Sequence, residues 1–242
     1  RLTWLTVAAR NIALAEEKAL NIITICNGCS QTLHTTNETL KSDPELKGRI
    51  NKILSEVGCE FLGKIEVKHF LQVLIKDLGV EKIKERVKVS LNDLKVATHI
   101  GCHLTNPSEI MGFDDPEDPI VLESLVAALG AEAVDYDLKT QCCGVSYAVV
   151  GQRKSLNNLL KDKLISINKA GAQCVTTGCP FCFQQFDLGQ LLSAKEYNLG
   201  FKLPVLFYSQ LLGLAMGYSL EEVGYTYHKV RDESFERKVE SR

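Results

Sequence analysis

Apolar residues recur along this chain at two periods, and the alternation between them outlines an α/β protein. Leu5, Ala8, Ala9, Ile12, Ala15 and Ala19 stand three or four apart, which predicts a helix over residues 2–20. Asn21 to Ile25 is then a short β-branched run, read as a buried parallel strand. A helix through Leu33 to Leu40 follows, then a polar turn at Ser42-Asp43-Pro44 and a helix from Glu45 to Val57 with Gly58 at its stop. Ile65-Glu66-Val67 reads as a strand and residues 68–78 as a helix closed by Gly79. Glu81 to Lys88 reads as a charged connection. Further strands are expected at Val96–Ile100, Ala133–Tyr136, Cys174–Thr177 and Pro204–Leu206. Helices over 120–129, 154–169 and up to Gly217 separate them. The charged tail from Tyr225 shows no clear period. Strands alternating with helices through short connections imply largely parallel sheets flanked by helices.

The pattern also repeats. A displacement of 153 positions sets Cys26 on Cys179, Cys29 on Cys182, Gln31 on Gln184, Ile22 on Val175 and Thr24 on Thr177. A displacement of 138 sets Ile65-Glu66-Val67 on Leu203-Pro204-Val205, Phe70 on Tyr208, Gln72 on Gln210 and Gly79 on Gly217. Two pseudo-symmetric halves are expected, a first domain over 1–90 and a second, complete one over 91–242. Extended upstream, the first displacement places the partners of Cys142, Cys143 and Cys102 before Arg1, so the front of the first half is expected there.

Composition narrows the class without choosing it. At 45% hydrophobic and 24% charged residues the chain is an ordinary globular one. A formal net charge of −2 offers no attraction to nucleic acid or an anionic membrane surface. No apolar run approaches the roughly 20 residues of a spanning helix. Nine cysteines, an odd number, argue against a fully paired disulfide framework and for a reducing cytoplasm.

Those cysteines change the picture. Cys102, the adjacent Cys142 and Cys143, and the pair Cys179 and Cys182 each follow an expected strand, separated by 39 and 35 residues. Parallel strands deliver their loops to one sheet edge, so three strand ends bring five thiols to one point. Adjacent cysteines on an extended chain face opposite ways, and Gly144 supplies the bend that aims both inward. Five ligands exceed the four of a cubane iron–sulfur cluster. Cys26 and Cys29 form a second CxxC, at the equivalent place in the first half. Cys59 and Cys174 read as packing residues. His103, beside Cys102, is a candidate proton donor or hydrogen-bonding group. Arg153 and Lys154 are candidates for a sulfonate or phosphate. His34, His69, His99 and His228 show no metal spacing and receive no role. Asp114 to Asp118 reads as a solvated loop.

The motifs Cys26-Asn27-Gly28-Cys29, Gly101-Cys102-His103, Cys142-Cys143-Gly144 and Cys179-Pro180-Phe181-Cys182 resemble those of the cysteine-rich CCG domain. The whole chain is similar to the B-type subunits of heterodisulfide reductase, a family of methanogenesis. That resemblance implies two noncubane [4Fe-4S] clusters facing each other across the pseudo-twofold interface. Cys102, Cys142, Cys143, Cys179 and Cys182 would hold one, and Cys26 and Cys29 belong to the other, completed by cysteines upstream of Arg1. The disulfide of coenzyme M and coenzyme B would bind between them and be split to two thiols; the residue reading adds His103 as the candidate catalytic side chain. Electrons would come from two partner subunits of the reductase, one flavin-bearing and one ferredoxin-like, with a hydrogenase or formate dehydrogenase behind them. No GxGxxG follows a strand here, so no flavin is expected in this chain.

Two other readings stay open. CCG subunits of thiol:fumarate, lactate, glycolate or glycerol-phosphate oxidoreductases are electron-transfer modules, usually with a CxxCxxCxxxCP region that is absent here. A zinc-stabilised scaffold would use the CxxC pairs without redox chemistry.

Overall fold

The computed structural model describes residues 2–242, without the side chains of Val149, Arg153 and Lys195. Two sheets form, both entirely parallel. Strands β1 (Ile22–Thr24) and β2 (Val67–His69) pair in the first. The second orders β4 (Glu132–Val134), β3 (Lys95–His99), β5 (Cys174–Thr177) and β6 (Val205–Phe207), in that sequence across the sheet. The expected mixed α/β class with parallel sheets flanked by helices is what the chain adopts.

The repeat is visible in strand register. Ile22 pairs with Val67 in the first sheet, and Val175 pairs with Val205 in the second. Those four residues are related by the same displacements of 153 and 138 that align the sequence.

Residues on either face of the second sheet enter different cores, as a sheet covered on both sides requires. On β3, Val96 joins a core with Leu125, Leu206 and Tyr208, while its neighbour Ala97 joins one with Leu160, Val175 and Phe186. A third core packs the Leu2–Glu16 helix, through Leu5, Ala9 and Ile12, against Leu40, Ile50, Phe61 and Val67. The two sheets also meet directly. His69 at the end of β2 reaches the Gly178 carbonyl at 3.2 Å, where the loop leaves β5.

Several boundaries differ from the sequence reading for identifiable reasons. The helix expected from Leu33 begins at Asn27 and runs to Ser42. Its first turn is polar, yet Asn27 and Ser30 are buried, and Asn27 reaches the Ile100 carbonyl. The stretch Glu81–Lys88 contains a short helix, Val80–Lys84, fixed by buried Ile83. The charged tail holds a helix at Glu233–Glu240, capped by Asp232, whose carboxylate accepts from the Phe235 amide at 2.9 Å. A further helix at Gln190–Tyr197 continues the segment that starts at the second CxxC. No helix among the described residues is long and apolar enough to cross a membrane.

Candidate metal centre

Strands β4, β3 and β5 lie side by side and parallel, so the loops after them emerge at one edge. Cys102 opens the short helix after β3, Cys142 and Cys143 follow β4, and Cys179 caps the helix after β5. All five of Cys102, Cys142, Cys143, Cys179 and Cys182 line one cavity of about 320 Å³, with Asn27, Val145 and Phe181.

Three glycine or polar details build that convergence. At Gly144 the chain takes φ +86°, a conformation that side chains resist, and its amide donates to Cys142 Sγ at 3.3 Å. Gly101 takes φ +81°, and a Cβ there would stand 2.5 Å from Asn27 Nδ2. The Asn27 amide instead donates to the Ile100 carbonyl at 2.6 Å, tying the first CxxC loop to the loop of Cys102.

None of the nine cysteines is in a disulfide. Cys143 and Cys182 sulfurs lie 3.4 Å apart, and those of Cys102 and Cys142 lie 3.9 Å apart. A disulfide needs about 2.05 Å. Two thiolates on one tetrahedral ion, with metal–sulfur bonds of about 2.3 Å, stand about 3.8 Å apart. The sulfurs therefore sit at ligand spacing.

As bare thiols, sulfurs this close cannot all ionise. Cys142, receiving hydrogen bonds from the Cys102 and Cys143 thiols, is pulled down to about 2. Donation to Cys142 pushes Cys102 far up, and Cys143 up to about 12. A hydrogen bond from Cys182, with the backbone amides of Cys182, Asn27 and Phe181, draws Cys179 down to about 5. Cys182 is pushed well up by its bonds to Cys143 and Cys179. A bound cation would replace those shared protons, so loading this site with metal releases protons.

The remaining sites are arranged as follows. Cys26 and Cys29 line a separate apolar groove of about 840 Å³, with Trp4, Val7 and Leu33. Burial pushes the Cys26 thiol up to about 11. Groove and cavity share Gly28, His103 and Phe181. Gln31 gives its amide to the Asn106 carbonyl at 2.6 Å, which leaves Oε1 to accept from His103 Nδ1 at 2.7 Å. Among the described residues His103 Nε2 makes no hydrogen bond, and the ring lies at the boundary between the two spaces. Cys59 and Cys174 lie in hydrophobic cores away from the site. The Arg153 side chain lies outside the described residues.

Sequence spacing missed two residues. A ring nitrogen of His99 and the sulfurs of Cys143 and Cys182 lie within 4.8 Å of one another. Behind it, Lys163 is fully buried. Its ammonium donates to the Leu138 carbonyl at 2.7 Å, the Lys139 carbonyl at 3.2 Å and His99 Nδ1 at 3.3 Å. Burial draws Lys163 down to about 8, and the sulfurs of Cys143, Cys182, Cys142 and Cys102, wherever they are ionised, oppose that fall. Among the described residues no carboxylate pairs with it. A buried cation balanced only by thiolates suits an anionic group in the cavity. An all-thiolate donor set suits iron–sulfur, zinc or copper(I).

A layered parallel sheet that gathers thiols at one edge defines a cysteine-rich domain. The family described as "CCG: Cysteine-rich domain" matches residues 2–34 and 96–187. The B-type subunit of ferredoxin:CoB-CoM heterodisulfide reductase from Methanosarcina mazei is 42% identical over 99% of this chain and 80% of its own length. The 8-methylmenaquinol:fumarate reductase membrane anchor subunit of Wolinella succinogenes is 35% identical over 95% of this chain and 79% of that one. A crystal structure of a hypothetical protein from Helicobacter pylori shares the fold, with a TM-score of 0.72. It is 18% identical, over 95% of this chain and 42% of that one. The chain belongs to the CCG cysteine-rich domain family and, at 42% identity, to the family of heterodisulfide reductase B-type subunits.

Proposed function

We propose that this chain is the catalytic subunit of a heterodisulfide reductase, splitting the coenzyme M–coenzyme B disulfide into two thiols. The observation that carries this reading is the five-cysteine cavity opening, past His103 and Phe181, onto the apolar groove beside Cys26 and Cys29. Residues 1–90 and 91–242 act as two related CCG domains. The second holds a noncubane [4Fe-4S] cluster on Cys102, Cys142, Cys143, Cys179 and Cys182. Cys26 and Cys29 contribute to a second cluster. When bound, such clusters supply single electrons and iron sites that accept thiolate sulfur.

The chain's own residues bind, orient and protonate. The groove's apolar wall, with Trp4, Val7 and Leu33, takes the aliphatic arm of the disulfide and excludes water from the sulfurs. Cleavage consumes two electrons and two protons per disulfide. His103, oriented by Gln31, delivers a proton from Nε2 to a departing thiolate and is recharged from solvent. Electrons arrive from a flavin-bearing partner and a ferredoxin-like partner, linked to a hydrogenase or formate dehydrogenase, in a cytoplasmic complex.

Similarity to the fumarate reductase anchor of Wolinella favours a second reading, an electron-transfer module with another substrate. Electron paramagnetic resonance of the anaerobic, oxidised protein separates the two. Adding coenzyme M thiol should produce a new thiol-dependent signal if the cluster meets substrate. An unchanged spectrum from an iron-loaded protein would move the assignment to the electron relay.

A further inference from the structure

We propose that Lys163 and His99 form a buried positioning pair that holds His99 as an N–H donor toward the Cys143–Cys182 side of the cluster and raises the potential at which that cluster accepts an electron. This rests on the iron–sulfur reading of the cavity, and it concerns residues that ligate nothing.

The neighbours of the imidazole fix where its proton sits. An ammonium has only donors, so its contact with Nδ1 requires Nδ1 to accept. A neutral His99 then carries its proton on Nε2. Nε2 is buried, and among the described residues it has no hydrogen-bond partner. Buried N–H groups left unpaired are rare, and each calls for an explanation. Here the explanation is chemical. The sulfurs of Cys143 and Cys182, within 4.8 Å of a ring nitrogen of His99, are weak acceptors as thiols and become strong ones as metal-bound thiolates. Loading the site would therefore give the orphaned N–H its strong acceptor.

The same contact excludes ligation. If Nε2 bound iron through its lone pair, the proton would sit on Nδ1, facing the Lys163 ammonium, donor against donor. Three acceptors surround Lys163, one for each of its protons, so the ammonium is anchored and cannot turn away. The Tyr136 ring lies 5.5 Å from it, and the Tyr136 hydroxyl is tied to the Thr98 carbonyl at 2.9 Å. The Phe186 ring meets His99 edge-on at 5.1 Å between centroids and fixes its tilt. A hydrogen bond to a cluster sulfur and a buried positive charge nearby both favour the more negative, reduced state.

The test compares anaerobically purified wild type with Lys163→Met, Lys163→Arg and His99→Gln. Iron and acid-labile sulfide per chain are measured alongside a dithionite titration followed by electron paramagnetic resonance. The relevant signal is assigned by its loss in Cys182→Ser. Lys163→Met and His99→Gln should keep wild-type iron and sulfide. Lys163→Met should lower the equilibrium constant for one-electron reduction at least tenfold, which is about 59 mV. Lys163→Arg, which keeps the charge, should recover most of that shift. An unchanged midpoint in an iron-replete Lys163→Met protein would overturn the proposal and leave the cluster reading intact. Loss of iron in His99→Gln, as in Cys182→Ser, would make His99 a ligand and also overturn it. A wild type without iron would remove the cluster reading itself. Should Lys163→Met not fold, His99→Leu, which has no N–H, decides: a wild-type midpoint in iron-replete His99→Leu would refute the pair.

Discussion

Gly101→Ala probes the junction on which the site depends. Gly101 has φ +81° and ψ 131°, a region that residues with a Cβ occupy at a cost of about 1–3 kcal/mol. The new methyl would also stand 2.5 Å from Asn27 Nδ2, and relief requires Asn27 to move. Moving Asn27 breaks its 2.6 Å bond to the Ile100 carbonyl, a buried pair. Leaving such a group unsatisfied costs about 1–3 kcal/mol. The two effects act on different groups, so the total is about 2–6 kcal/mol. For a chain of this size that lowers Tm by roughly 2–4 °C per kcal/mol. Urea unfolding at neutral pH, followed by circular dichroism, reads the loss, with Gly28→Ala as control. Gly28 has nothing within 4 Å of its would-be Cβ and lies in the first turn of a helix, so its replacement should be neutral or mildly stabilising. A Gly101→Ala loss below about 0.5 kcal/mol, within the range of ordinary surface changes, would refute the claim that these two loops are locked together.

Other expectations follow from the same geometry. Cys174→Ala should destabilise by about 1–2 kcal/mol while leaving iron content unchanged, since Cys174 lies fully buried in a hydrophobic core; Cys143→Ser should lose iron. Burial pulls His69 down to about 4, so the unfolded chain binds the extra proton first. Stability from His69 is therefore complete above about pH 6.5 and lost as pH falls toward 4, by at most about 3 kcal/mol. His99 and His228 shift in the same direction, also through burial. Unfolding free energies measured from pH 7 to 4.5 should fall with pH, and His69→Gln should flatten that slope; an unchanged slope would put the proton uptake elsewhere.

The sequence was most informative where local physics decides structure. Strands such as Cys174–Thr177 are buried on both faces and read as short runs rich in β-branched residues. Helix stops at Gly79, Gly130 and Gly171 were legible because only a positive φ fits there, and each has one. The five-thiol convergence followed from three strand ends on one sheet edge. What stayed hidden depends on distant partners. The first turn at Asn27-Gly28-Cys29-Ser30 is polar and looks like loop, and only packing, with Asn27 tied to Ile100, buries Asn27 and Ser30. The Glu233–Glu240 helix buries only Phe235, too little apolar surface to show a period. Lys163 looks like a solvated charge on an amphipathic helix, and His99 stands 64 residues away in sequence. Only tertiary packing makes the pair a part of the site.

The proposed chemistry turns on what the five cysteines hold. Iron, zinc and acid-labile sulfide should be counted per chain in anaerobically purified protein, for wild type and for Cys143→Ser and Cys182→Ser. Iron and sulfide are expected in roughly equal number, about four of each per cluster, falling by about one cluster's complement in either variant. Zinc without sulfide, or an iron count unchanged from wild type in both variants, would contradict the assignment.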